Sequence, residues 1–171
     1  MDAHDERYRE VQYFRPWWFV LIILLCSGLA WWGAVSQLLL GEPWGDNPGS
    51  DGFMMAFFIG FGIIFPVIML NMRMIVTVSD AIYIKVWPFM LRPRVLSPHD
   101  ILSYQTIEYH PLSDYGGWGI KGSASDRVYS VSGNKGVKFH MINGNMVLVG
   151  SLRAEQLKMA VDLMPRRPGL R

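Results

Sequence analysis

Hydrophobic patterning divides the chain near Arg73. Before that point lie two unbroken apolar runs, Trp17 to Leu40 (WWFVLIILLCSGLAWWGAVSQLLL) and Phe53 to Leu70 (FMMAFFIGFGIIFPVIML), and neither holds a charged residue. A helix needs roughly 20 apolar residues to cross the hydrocarbon core of a bilayer. The pattern therefore predicts a transmembrane hairpin over residues 17–72, with helices at 17–40 and 53–72. Residues 1–16 read as a juxtamembrane segment. From Arg73 onward the period drops to two, and turn residues punctuate it, which predicts short strands. These form a small domain over 73–164, followed by a basic tail over 165–171.

Within that domain the predicted strands are Met74 to Val78, Ala81 to Trp87 and Phe89 to Val95, the last confined to an edge or a bulge by Pro93. Ser97-Pro98-His99-Asp100 has the residues of a helix start, with serine as cap, proline first and an acid three residues on. It predicts a single turn. Further strands follow at Ser103 to Tyr109, Trp118 to Gly122, Arg127 to Val131, Gly136 to Ile142 and Asn145 to Val149, and His110 to Gly117 reads as a loop. Asn143-Gly144 predicts a type I′ hairpin turn. Ser151 to Met164 is an amphipathic helix with Leu157, Ala160, Val161 and Met164 on one face, ended by Pro165. Seven or eight antiparallel strands and a C-terminal helix predict a small barrel or crossed sandwich plugged by the helix, the element order of a pleckstrin-homology-like (PH-like) barrel.

Details of the hairpin sharpen its reading. Lys and Arg collect on the cytoplasmic side. Arg7, Arg9 and Arg15 precede the first run, and Arg73, Lys85, Arg92 and Arg94 follow the second. The connector Gly41 to Gly52 carries only Glu42, Asp46 and Asp51. Both termini are thus expected in the cytoplasm, in a two-pass plasma-membrane protein. Trp17 and Trp18 mark the inner interface, and Trp31, Trp32 and Trp44 the outer one. Pro66 predicts a kink, because it lacks a backbone donor and presses on the carbonyl of Gly62. Gly60 and Gly62 allow close helix approach. Pumps and proton relays place ionisable residues at membrane depth. Apart from the tryptophans, the only polar side chains in the runs are Ser27, Ser36 and Gln37, so the hairpin reads as an anchor. The long mixed-charge opening and the missing small-residue cleavage site argue against a signal peptide.

Charge and cysteine content add two constraints. The formal net charge is +2, but the part from Arg73 onward holds thirteen Lys/Arg against seven acids. A basic domain tethered to a membrane is drawn to anionic headgroups; the same excess also serves plain solubility. The single cysteine, Cys26, lies in the first apolar run, so there is no intrachain disulfide and no cysteine-based metal site.

Three constellations are candidates for function. Asp114-Tyr115-Gly116-Gly117-Trp118-Gly119 reads either as a partner loop with Tyr115 and Trp118 as contacts, or as a tight bend with the tryptophan plugging the barrel. Ser132-Gly133-Asn134-Lys135-Gly136 reads either as an anion nest in which Asn134 and Lys135 face a phosphate, or as a plain hairpin loop. It is not a P-loop, since no Ser or Thr follows the lysine and no helix opens there. Arg73, Lys85, Arg92 and Arg94 are candidate headgroup contacts, at about 1 kcal/mol each near an anionic surface, or simple determinants of topology. Catalytic patterns are lacking. Ser97, His99 and Asp100 are too close in sequence for a triad. His4, His99, His110 and His140 are scattered without metal-ligand spacing. No metal, cofactor or nucleic-acid partner is expected.

YREVQYFRPWW (Tyr8 to Trp18), the hairpin, YGGWGIK (Tyr115 to Lys121) and VYSVSGNKGVKFHMINGNMVLVGSLRAEQL (Val128 to Leu157) carry a resemblance. The chain resembles a family of uncharacterised prokaryotic membrane proteins that join a two-helix hairpin to a bacterial PH-like cytoplasmic domain; Ala154 stands where a proline is expected. The resemblance implies the fold and no activity. The expectation is a non-enzymatic, membrane-tethered binding or scaffolding module whose partners are membrane lipid and a protein or a second copy of itself. The alternatives are an accessory subunit of a larger membrane complex and a membrane-bound enzyme with an unrecognised site.

Overall fold

The computed structural model describes residues 6–165. The chain divides into two compact units, Phe14–Met72 and a second unit built from the residues before and after it.

The first unit holds two helices, Trp17–Leu39 and Asp51–Leu70, long and apolar enough to cross a membrane. Each leaves most of its apolar surface uncovered: Trp17, Leu24, Leu25, Leu29, Phe53 and Val67 are all more than half exposed. The few polar side chains stitch the hairpin internally. Gln37 Nε2 donates to the Gly49 carbonyl at 2.8 Å and to Asp51 Oδ1 at 2.9 Å. Ser50 caps the second helix, its hydroxyl accepting from Phe53 N at 3.3 Å. The effect of Pro66 appears as wide π-helical turns over Phe58–Ile64, just ahead of it. Proline has no N–H to offer the carbonyl four residues back, that of Gly62. This carbonyl instead accepts from Ser27 Oγ and Trp31 Nε1 of the first helix, both at 3.2 Å. Away from water such a freed carbonyl needs a replacement donor. Of the two glycines expected at a close approach, Gly62 meets that description, since a Cβ there would lie 2.8 Å from the Phe58 ring and 3.6 Å from Trp31; Gly60 has open space around it.

Among the described residues the second unit contains nine strands in two sheets. β1 (Tyr8–Tyr13), β2 (Arg73–Val78), β3 (Ile82–Trp87) and β4 (Arg94–Leu96) form an antiparallel meander. β5 (Ile101–Glu108), β6 (Gly119–Gly122), β7 (Asp126–Ser130), β8 (Lys135–Met141) and β9 (Met146–Gly150) form the other sheet, in the order β5-β8-β9-β7-β6. The C-terminal helix, Ala154–Asp162, buries Leu157, Ala160 and Val161, with Met164 just beyond it. It lies against β5 and β8 of one sheet and β1 and β2 of the other.

Five expectations need correction. The sheets do not close into a barrel, and the strands are not all antiparallel, because β7 runs parallel to β9. Alternation identifies a strand but not its neighbour, so this pairing had no local signal. The segment expected only as a juxtamembrane lead-in contributes β1, which pairs with β2 from Tyr8↔Val78 to Tyr13↔Arg73. Its buried side chains are Tyr8, Glu10 and Gln12 while Val11 faces out, the reverse of the usual apolar-in pattern. The expected strand Phe89 to Val95 shrinks to β4, because Pro88 and Pro93 lack donors and the chain turns at Met90 N, which donates to the Val86 carbonyl at 2.8 Å. Asn143-Gly144 does turn the β8–β9 hairpin, but only Gly144 has positive φ (81°). With Gly144 N donating to Met141 O at 2.9 Å and Met141 N to Asn145 O at 2.8 Å, it is a type I turn closed by a glycine bulge.

Candidate functional site

The two loops singled out separately meet at one corner of the five-stranded sheet. Pro111–Tyr115 forms a short helix where a loop was expected. It ends in an αL cap, with Gly116 N donating to Leu112 O at 3.1 Å, and Gly117 N reaches back to Pro111 O at 2.7 Å. Gly116, Gly117 and Gly119 all have positive φ, at 68°, 118° and 119°, which explains the glycine cluster. This bend brings the half-buried Trp118 across the neighbouring loop, where its Nε1 donates to the Gly133 carbonyl at 3.1 Å. Tyr115 packs edge-on against buried Tyr109 at 6.0 Å. The Asn134 carbonyl accepts from Tyr109 N at 2.9 Å. Lys135 pairs with Glu108 directly across the strands at 2.9 Å. That ion pair holds the Glu108 carboxyl below its usual range and raises the Lys135 ammonium. All four candidate contacts thus engage other parts of the same chain, and the Lys135 charge is partly answered by its neighbour.

A buried polar seam along β1 was not anticipated. Glu10, only 4% exposed, accepts from the Tyr8 hydroxyl and Ser151 Oγ, both at 2.6 Å, and from Leu152 N at 2.9 Å. Gln12 Nε2 donates to the Gly150 carbonyl at 3.0 Å, and its Oε1 accepts from Ser132 Oγ at 3.1 Å. The Arg153 guanidinium lies over the Tyr8 ring, 5.2 Å from its centroid, and donates to the Arg9 carbonyl at 3.0 Å. Burial, and then donation to Glu10, push the Tyr8 phenol up to about 12. These bonds satisfy the seam internally and tie the N-terminal strand to the chain just ahead of the C-terminal helix.

The basic candidates lie in β2 and β3 and around the β3–β4 loop. Arg73 and Lys85 are half-buried, and Arg92 and Arg94 are exposed. Register places Tyr13, Arg73 and Trp87 in one row across β1, β2 and β3, with Val11, Ile75 and Lys85 in the next row on the same face. Between β4, at the edge of the first sheet, and strands β6 and β7 of the second lies a cleft of about 700 Å³. Arg94, Asp100 and Arg127 line it together with the apolar Met90, Tyr129 and Val147. It occupies part of the gap where a barrel would have to close. Arg94 and Arg127 are far apart in sequence, so no motif could announce this cleft.

Among the described residues no group of three or more His, Cys, Asp or Glu is placed to hold a metal ion. His99 and His110 are exposed and His140 half-buried. His4 and the tail arginines Arg166, Arg167 and Arg171 lie outside the described residues.

A two-unit protein, an apolar hairpin and a mostly-β body of two sheets, is the class that this geometry defines. Residues 4–164 match the family of unknown function DUF6141, and the chain belongs to that family. No curated protein matches it.

Proposed function

We propose that the protein is a non-enzymatic integral membrane protein in which a two-helix hairpin holds a PH-like β module at the cytoplasmic face of the cell membrane. The module binds there, with anionic lipid and a protein partner or a second copy as its ligands. The supporting observation is the β1–β2 pairing. The strands on either side of the hairpin are neighbours in register, ending at Tyr13↔Arg73. Only Phe14–Pro16 separates Tyr13 from the first helix, and only Asn71 and Met72 separate the second helix from Arg73. Two crossings return the chain to the side it left, as that pairing requires. The charge asymmetry of the flanks supports the cytoplasm as this side.

The test is purification of the full chain from native membranes in mild detergent, with bound lipid and protein identified by mass spectrometry. Retained anionic lipid above its bulk share, a stoichiometric second protein or a defined homo-oligomer supports the reading. A monomer carrying only bulk lipid contradicts it.

A further inference from the structure

The β3–β4 loop, Trp87-Pro88-Phe89-Met90-Leu91-Arg92-Pro93-Arg94, leaves the first sheet at a particular end. Trp87 is the register partner of Arg73, which is itself the partner of Tyr13. The loop therefore departs from the end of the sheet at which the hairpin is inserted, whereas the Ser79–Ala81 turn lies at the opposite end. Two of its apolar side chains are turned out, Leu91 at 91% exposed and Phe89 at 61%, while Trp87, Pro88 and Met90 are half-buried; Tyr13, in the same row as Trp87, is 43% exposed. Arg92 and Arg94 are also exposed and, among the described residues, have no carboxylate partner. No acid occurs anywhere between Asp80 and Asp100. Exposed large apolar residues flanked by arginines, aromatic rings and prolines have the composition of segments that settle at a bilayer interface. Only Asn71 and Met72 link this end of the sheet to the second helix, and only Phe14–Pro16 link it to the first.

We infer that the Pro88–Pro93 loop is a third membrane attachment, with Phe89 and Leu91 at the boundary between headgroups and acyl chains and Arg92 and Arg94 on the phosphates of anionic lipid. The inference rests on the hairpin spanning the bilayer, and it adds what the hairpin alone does not: a lipid-sensing contact made by the β body. A soluble protein docking on the same residues is the competing occupant. The charge pattern favours lipid, because every ionic group in the loop has the sign that an anionic membrane attracts.

The test uses the full chain in a Cys26→Ser background, reconstituted in vesicles of phosphatidylcholine with or without phosphatidylglycerol. An environment-sensitive fluorophore is placed singly at Leu91→Cys, at Leu25→Cys in the first helix, and at Asp80→Cys at the far end of the sheet. Lipids carrying a spin label at shallow or deep positions serve as quenchers. The expected result is blue-shifted emission at position 91, quenched most by the shallow label, strongest with phosphatidylglycerol. Position 25 should be quenched by the deep label and position 80 by neither. Arg92→Gln with Arg94→Gln should lower the ratio of inserted to free loop by about thirtyfold in the anionic vesicles. Water-like emission at 91 beside deep quenching at 25 overturns this inference and leaves the hairpin reading intact. Water-like emission at both positions overturns the hairpin reading as well. Insertion that ignores both the arginines and phosphatidylglycerol overturns the phosphate contact.

Discussion

Replacing Glu10 by alanine tests whether the N-terminal segment is a working part of the β body. The carboxylate is 4% exposed and accepts three hydrogen bonds, from Tyr8, Ser151 and Leu152 N. After truncation the Tyr8 and Ser151 hydroxyls still lie 3.2 Å apart and can satisfy one another, whereas Leu152 N has no acceptor. A part-buried donor such as Leu152 N left unsatisfied costs about 1–2 kcal/mol, and the two broken hydroxyl bonds to a charged acceptor add about 1–3 kcal/mol. The expected loss is roughly 2–5 kcal/mol. For a unit of about 100 residues this lowers Tm by on the order of 10–20 °C. Glu10→Gln keeps the shape and an acceptor for Leu152 N, so its cost should be only about 1 kcal/mol. Thermal unfolding of the full chain in detergent, followed by the β circular-dichroism signal, measures both variants. If Glu10→Ala melts within about 2 °C of the parent, residues 8–13 are a loose lead-in and the β1 seam carries no stability.

Other outcomes follow from the same geometry. A phenol whose folded pKa lies above its ordinary 10.0 holds its proton more tightly in the folded state, so Tyr8 contributes fully below pH 10 and loses that contribution as pH rises towards about 12; Tyr8→Phe should melt with a flatter pH dependence across that window, and parallel curves would contradict the burial of the phenol. Ser27→Ala should weaken the hairpin by about 0.6 kcal/mol in denaturant titrations in detergent; in a Pro66→Ala background, where the backbone regains its own donor for Gly62, the penalty should vanish, and an unchanged penalty would refute the role given to that carbonyl. Trp118→Ala removes one hydrogen bond and half a buried ring, so it should cost about 1–3 kcal/mol of stability without unfolding the chain; an unfolded variant would show that the indole supports the core.

What the residues revealed in advance, and what they hid, follows from the range of the interactions. The two apolar helices were legible because each is one continuous apolar stretch whose meaning depends on nothing distant. The Asn143-Gly144 turn and the Leu157-Ala160-Val161-Met164 face were legible for the same reason. β1 was hidden because its inward positions, Glu10 and Gln12, are polar and its outward Val11 is not; their partners Ser132, Gly150, Ser151 and Leu152 lie more than a hundred residues away. The meeting of Trp118 with Gly133 depends on three glycines of positive φ, and sequence could name the glycines but not where their bend would point. The cleft beside Arg94 and Arg127 exists because the sheets stay open, a consequence of strand order that alternation does not encode.

The central claim is that the chain crosses the membrane twice, so that β1 and β2 meet on the cytoplasmic side. Single cysteines at Asn47→Cys in the connector and Asp80→Cys in the β body, each in a Cys26→Ser background, test it in intact cells with a membrane-impermeant maleimide. The account predicts labelling at position 47 from outside and labelling at position 80 only after lysis. Labelling at position 80 in intact cells, with position 47 protected, would contradict it.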